Sequence, residues 1–421
     1  MQQICLTEYK RSAVPYVLST HQRDLISQHI SGLRIEPASG EDNKFYLTPS
    51  SKVGILEVED LAIQIRPKIS IDHLMFLMSY NLDPKNWKEL GFNLSVTDSI
   101  VEAIIPAFLR HLKNVFSRGV LQGYRQKEDS LTTVRGQIRF PDQIRKRFGI
   151  PLPVEVTYDE FTEDIVENQL LKAALHRLLQ NRIRSGEMRK ELHRYLLALD
   201  NVSQVSFNPR RLPTLKISRL NKRYEHALAI SKLILQSSTF QHVSGAIRAR
   251  SFIVDMNKIF EDFIVIALRE NLGLTSHSFP QNAKRKGLRL DERGVISLEP
   301  DISWWSEGTC RFVGDVKYKE FNKHARNADI YQMLAYTTAT RLPLGILIYA
   351  KDDAIPEVGR ESHFIAAANK DIHVYAIDLA NSPQGILDQV NQMAQQIKLS
   401  YRQSMLPPTQ RTTTIQSLQQ A

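Results

Sequence analysis

The sequence predicts an α+β protein of several domains: a β-rich N-terminal domain (1–95), a mainly helical middle region (96–250), a C-terminal α/β domain with a mixed sheet flanked by helices (251–400), and a disordered tail (401–421). Three observations carry that prediction. Apolar residues alternate with polar ones near the start, follow a helical period in the middle, and switch between the two in blocks after residue 251. A chain of 421 residues is long for one core, and its 42% hydrophobic content can fill more than one. The last stretch, RQSMLPPTQRTTTIQSLQQA, is rich in Gln, Thr and Pro and has no apolar period.

Along the chain, KFYLTPS and VGILEVEDLAIQIRPKISI alternate as half-buried strands do, with Pro67 near a strand end where its missing N–H is tolerable. SIVEAIIPAFLRHLKNVF predicts an amphipathic helix with Pro106 as a kink or boundary. The basic stretch that follows, RGVLQGYRQKEDSLTTVRGQIRFPDQIRKRFG, is turn-rich. TEDIVENQLLKAALHRLLQNRI predicts a long helix with its core stripe at Val166, Leu170, Ala174 and Leu178, and Ile165, Gln169, Lys172 and His176 on another side. YEHALAISKLILQSS predicts another. Beyond residue 251 come a helix (DMNKIFEDFIVIALREN), a hairpin region (KRKGLRLDERGVISL), two strands (CRFVGDVKY, LGILIYA) flanking the helix NADIYQMLAYTTAT, and a further strand (DIHVYAIDL). No internal repeat is present.

The formal net charge of +10 suits a polyanionic partner, although charge bears on association and not on fold. Cys5 and Cys310 have no CxxC companion, which predicts a reducing compartment and speaks against a thiolate zinc site. The N-terminus lacks a signal-peptide pattern, and no apolar run approaches the roughly 18 residues of a membrane span, so a cytoplasmic protein is expected. Missing H-E-x-x-H, G-x-S-x-G and G-x-x-x-x-G-K-[ST] patterns argue against a zinc hydrolase, a serine hydrolase and a phosphate-cradling loop of the chain's own.

The sharpest chemical signal is LEPDISWW followed by VGDVKYK. Positions i and i+2 of a strand share a face, so Asp315 and Lys317 project together while Val316 packs the other way. With a neighbouring strand ending at Asp301, they would form an oxygen-rich site suited to Mg²⁺ acting on a phosphodiester, with Lys317 orienting water or stabilising developing charge. D-x-K by itself is common: Asp42-Asn43-Lys44 and Asp83-Pro84-Lys85 stand in polar, turn-like settings, and a surface salt bridge is the plain alternative. Glu261, at the edge of a buried helical stripe, could complete the metal or water shell, or be an ordinary exposed glutamate. Gln332 and Tyr336 lie one turn apart and could grip a phosphate or orient Lys317, or be plain helix packing. Trp304 and Trp305 could stack on bases or belong to a core. Arg135, Arg139, Arg145, Lys146 and Arg147 could contact nucleic-acid phosphates or an acidic protein, or form a solvated face.

Taken in order, Glu261, Pro300-Asp301, Asp315-Val316-Lys317 and Gln332-x-x-x-Tyr336 resemble the PD-(D/E)xK nuclease superfamily. With VGILEVEDLAIQIRPKI, SLTTVRGQIRF and DEFTEDIVENQLLKAAL, the whole is similar to the McrC family, the nuclease subunit of McrBC-type modification-dependent restriction systems, over roughly residues 50 to 350. The resemblance implies a PD-(D/E)xK core at 251–400 and a Mg²⁺-dependent endodeoxyribonuclease, with Mn²⁺ able to substitute. It further implies cutting of methylated double-stranded DNA in antiviral defence, and stimulation of an AAA+ GTPase partner of the McrB type through the N-terminal domain. Metal ligands carry over as Asp301 and Asp315 and the catalytic lysine as Lys317; Glu261, Gln332 and Tyr336 carry over as further catalytic-site residues. A non-catalytic activator and DNA-binding module of an AAA+ partner is the alternative, and an RNA target stays open.

Overall fold

The structure is a computed structural model that describes residues 2–40, 42–58, 60–90, 99–148, 150–209, 211–243, 247–281, 287–318, 323–351 and 360–405. The chain runs β1 (Gln2–Thr7), β2 (Tyr16–Val17), α1 (Thr20–His29), β3 (Arg34–Pro37), β4 (Lys44–Thr48), β5 (Lys52–Val58), β6 (Leu61–Arg66), α2 (Ile71–Leu82), α3 (Trp87–Leu90) and α4 (Ile100–Phe116). It continues as β7 (Gly123–Leu131), β8 (Gln137–Ile138), α5 (Phe140–Arg147), β9 (Val154–Thr162), α6 (Val166–Gln180), α7 (Gly186–Leu197), α8 (Glu225–Ser237), β10 (Ser238–Val243) and β11 (Ile247–Asp255). The last part is α9 (Met256–Leu272), β12 (Ile302–Ser306), β13 (Thr309–Lys317), α10 (Lys323–Thr340), β14 (Leu344–Ala350), β15 (Arg360–Ile365), β16 (Lys370–Ile377) and α11 (Pro383–Met405). It divides into two compact units: Met1–Ile55, Asp60–Glu89 and Val254–Ala421 in the first, Leu56–Glu59 and Leu90–Ile253 in the second.

In the first unit, β1 pairs in parallel with β6, Ile4 against Ile63. Ile4 and Leu6 of β1 point inward while their neighbours face out, and β6 is buried nearly throughout. The C-terminal strands form a sheet of order β12-β13-β14-β16-β15. Its centre, β13, β14 and β16, is parallel, and β12 and β15 run antiparallel at the edges. A parallel centre is covered on both faces, which is why LGILIYA is apolar without alternation.

On one face, α10 packs Met333 and Tyr336 against Val313, Leu347, Tyr349, Ile372 and Val374. The close fit of α10 depends on Gly345, where an added Cβ would meet Met333 Cγ at 2.6 Å. On the other face lies α9, capped at its start by Asp255, whose side chain accepts the Asn257 N–H at 3.1 Å, and ended by Gly273 at φ +68°. Phe263 of α9 meets Phe76 and Tyr80 of α2 edge-on at 5.6 and 5.2 Å between ring centroids. In the predicted hairpin region, Leu290 and Leu298 donate to the Ile296 and Leu288 carbonyls; residues 282–286 lie outside the described residues.

In the second unit, α4 and α6 pack with α7 and α8. Of the stripe read from the sequence, Leu170, Ala174 and Leu178 are fully buried, while Val166, the first residue of α6, is 38% exposed. Pro106 lies inside α4, which continues through it because buried residues from Ile100 to Val115 hold both halves to one core. The basic stretch is not only turns: β7 forms nine pairs with β9, which β8 joins on its other edge, over a small core of Val154, Val156 and Tyr158.

Helix α11 runs to Met405, into the segment expected to be disordered, because its buried residues Ile386, Val390, Ala394 and Ile397 recur at helical spacing. Residues 406–421 lie outside the described residues. Among the described residues no helix is long and apolar enough to cross a membrane.

Candidate active site

The site forms where β12, β13 and α10 meet. Pairing of β12 with β13 sets Ile302 against Gly314, so one further step of the same register sets Asp301 opposite Asp315. Asp301 therefore stands at the start of its strand and not at the end, a correction that follows from the antiparallel pairing. The Val316 N–H donates to Asp301 Oδ2 at 2.9 Å. Gly314 permits the close approach: a Cβ there would stand 2.9 Å from Ile302 Cδ1 and 3.0 Å from the Ile346 carbonyl oxygen.

Asp315 is 1% exposed and ion-paired with Lys317, on the same face two positions on. Burial, then the neighbouring charge of Asp315, pushes the Asp301 carboxyl up to about 8, against the opposing hydrogen bond from Val316; Glu261 adds to the upward push. Burial alone would lower the Lys317 ammonium, but Asp315, and then Asp301 and Asp329, hold it above its ordinary value. Glu261, half-buried on α9, accepts from the Gln281 side-chain amide at 3.0 Å, and the same amide contacts Asp262. Gln281 also bridges to Ile302, beside Asp301.

Gln332 Nε2 donates to the Tyr336 hydroxyl at 2.8 Å, and that hydroxyl donates to the Glu299 carbonyl at 3.2 Å. Tyr336 is buried and its hydroxyl is raised by burial, then by Asp315 and Asp301. The pair thus ties α10 to the segment entering Asp301. Two groups here were not singled out from the sequence. Asp329, 5% exposed, accepts from the Tyr349 hydroxyl at 2.5 Å and acts electrostatically on Lys317. It precedes Gln332 and Tyr336 at i−3 and i−7, a helical-face signal visible in DIYQMLAY. Gln281 carried no such periodic signal.

A divalent cation fits this donor set: two hard carboxylates are set against each other at a buried strand pair, and their mutual repulsion is a cost that a cation removes. Among the described residues no group of three or more His, Cys, Asp or Glu side chains is arranged to hold a metal. Trp304 and Trp305 are half-buried in β12, and Trp305 packs on the sheet core.

In the second unit the basic stretch is extensively ion-paired. Arg139 pairs with Glu128 at 2.7 Å and with Asp142, and Arg145 with Asp142 at 2.9 Å. Lys146 and Arg147 reach Glu155 at 3.2 and 2.8 Å. The Arg135 guanidinium lies 4.0 Å from the Tyr158 ring centroid.

The family described as McrBC 5-methylcytosine restriction system component matches residues 47–350. A type IV methyl-directed restriction enzyme, EcoKMcrBC of Escherichia coli K12, is 22% identical over 300 residues, which span 64% of this chain and 81% of that protein. Among solved structures, a chain of the half-complex from a tetradecameric assembly of Thermococcus gammatolerans McrB AAA+ hexamers with bound McrC superposes with a TM-score of 0.57 at 19% identity. That match covers 93% of this chain and 100% of the other. A chain of the Thermococcus gammatolerans McrBC complex is similar at a TM-score of 0.39 and 22% identity, covering 64% of this chain and 88% of the other.

Proposed function

This chain belongs to the family of McrBC 5-methylcytosine restriction system components, and from that premise we propose that it is the subunit that cuts DNA. The observation that supports the reading most is the opposition of Asp301 and Asp315 across β12 and β13, with Lys317 ion-paired to Asp315. Asp301 and Asp315 would hold a Mg²⁺ or Mn²⁺ ion, which when bound neutralises the paired carboxylates and acidifies water beside the phosphodiester.

Lys317, kept as a cation by Asp315, donates to a phosphate oxygen and stabilises the charge that develops there. Glu261, fixed by Gln281, orients water. Gln332 and Tyr336 maintain the approach of Asp301. The substrate is double-stranded methylated DNA, cut in the cytoplasm in antiviral defence. The solved relative carries McrC bound to McrB AAA+ hexamers, so the partner is an AAA+ GTPase of the McrB type. The chain has no G-x-x-x-x-G-K-[ST] loop of its own, and its β-rich N-terminal part is the docking segment that stimulates the GTPase. The basic stretch contributes phosphate contacts mainly through Arg145, whose side chain is 76% exposed.

Electron paramagnetic resonance of Mn²⁺ with a short DNA duplex tests the reading. A bound signal in wild type that is lost in Asp315→Ala is expected; equal signals, or none in either protein, would overturn it. The competing reading is a non-catalytic activator and DNA-binding module of the AAA+ partner. Cleavage assays with the AAA+ partner separate the two: the nuclease reading expects Lys317→Ala to lose roughly a hundredfold or more in rate while partner binding persists.

A further inference from the structure

The end of β1 forms a corner that reaches the strand carrying the D-x-K pair. Glu8 is 1% exposed. Its N–H extends the β1–β6 ladder to the Arg66 carbonyl at 3.0 Å. Its Oε1 accepts from the Lys68 N–H at 2.6 Å and from the Tyr318 hydroxyl at 2.7 Å, and its Oε2 has no hydrogen-bond partner among the described residues. The Lys68 ammonium lies over the Tyr318 ring at 4.6 Å. A buried carboxylate held this way is expensive, and an apolar residue of similar size would cost less. Core packing alone therefore does not account for it.

Tyr9 adds the second half of the corner. Its φ is +59°, a left-handed conformation that bulky residues seldom adopt, and that persists only where surrounding contacts determine it. The Tyr9 N–H donates to the Pro49 carbonyl at 3.0 Å. Its hydroxyl stands 2.8 Å from the Tyr318 carbonyl oxygen and 3.2 Å from Asn257 Oδ1. One acceptor directly follows the strand that carries Asp315 and Lys317, and the other is on the helix that carries Glu261. Tyr318 follows Lys317, where the ladder with β14 ends at Lys317↔Tyr349. Asn257 is in the first turn of α9, one turn before Glu261, and Phe260 of that helix meets the Tyr318 ring at 5.8 Å.

We propose that Glu8 and Tyr9 are positioning residues for the active site: they hold the backbone after Lys317 and the first turn of α9, so that the N-terminal strand pair sets where Lys317 and Glu261 stand relative to the Asp301–Asp315 pair. The proposal rests on the nuclease reading. Neither residue touches the reacting atoms. Glu8 acts through Tyr318, and Tyr9 through Tyr318 and Asn257, just past the last described pair of β13 with β14.

The test is single-turnover cleavage of a methylated duplex by the full chain with an McrB-type partner, beside Mn²⁺ affinity by electron paramagnetic resonance, DNA affinity and thermal stability. Tyr9→Phe removes one hydroxyl and Glu8→Ala removes both acceptor atoms. Each should lower the cleavage rate about ten- to a hundredfold, the effect of a sub-ångström to ångström misplacement, with Mn²⁺ and DNA affinity unchanged. Glu8→Gln keeps an acceptor for Lys68 and Tyr318 and should restore the rate. Wild-type rates in Tyr9→Phe and Glu8→Ala, with Asp315→Ala inactive, would overturn the positioning role and leave the nuclease reading standing. Loss of stability in Glu8→Ala without loss of rate in the folded protein would do the same. Cleavage by Asp315→Ala at the wild-type rate would overturn both.

Discussion

The Val316 amide donates to Asp301 Oδ2 at 2.9 Å, so the residue between Asp315 and Lys317 holds the opposite carboxylate through its backbone. One strand thereby organises both acids: its side chains present Asp315 and Lys317, and its main chain fixes Asp301. The arrangement concentrates like charge in a buried place, and its consequences can be measured.

Replacing Asp301 by Asn removes a carboxyl that burial and Asp315 force to hold its proton up to about 8, while leaving an oxygen for the Val316 N–H. The metal-free protein should gain on the order of 1 kcal/mol, seen as a higher Tm, while Mn²⁺ binding is lost. A variant that binds Mn²⁺ like wild type would remove Asp301 from the ligand set.

Gly314→Ala pushes a Cβ against Ile302 and the Ile346 carbonyl. Overpacking of this kind should cost about 1–3 kcal/mol, and here it separates β12 from β13. Reduced Mn²⁺ affinity should accompany the lower denaturation midpoint; an unchanged midpoint would mean that the strands yield freely.

Glu8 carries a pH signature. Burial is the main cause that pushes it from 4.5 to about 7. Between those values the folded chain binds the proton that the unfolded chain has released, so stability falls as pH rises from about 4.5 to about 7 and stays lower above. The pKa difference corresponds to about 3 kcal/mol at most. Glu8→Gln should flatten this part of the stability profile, and a profile identical to wild type would contradict the assignment.

Glu155 shows the opposite sign. Its hydrogen bond from Ser130, and then those from Lys146 and Arg147, hold it down to about 2. Its contribution is complete above the ordinary carboxylate pKa and is lost as pH falls toward about 2. Glu155→Gln should lower the Tm at pH 7 and make little difference near pH 2, as differential scanning calorimetry can follow.

Much of the fold was legible because local pattern and tertiary environment agree. The stripe of α6 from Leu170 on and the helix bearing Glu261 follow a helical period, and β14 is a short unbroken apolar run. Strand β7 was not legible. GYRQKEDSL has almost no apolar alternation, and its extended form comes from nine cross-strand pairs with β9. The basic residues beside it take their counter-ions from Glu128 and Asp142 within the stretch and from Glu155 beyond it, a pairing that only the folded strands and helix fix.

The sequence by itself determined the chemistry on offer: two carboxylates and a lysine at strand spacing, a helix with Gln332 and Tyr336, and family membership. Asp329 belongs to that same helical face and was within reach of the same reasoning. Tertiary structure alone decided which distant groups meet. Glu8 and Tyr318 are 310 positions apart in the chain, and β1, β6 and the C-terminal sheet lie in one unit. Periodicity reports which face of an element is buried. It carries no information on which buried faces share a core, and that pairing brings an N-terminal carboxylate to the residue after Lys317.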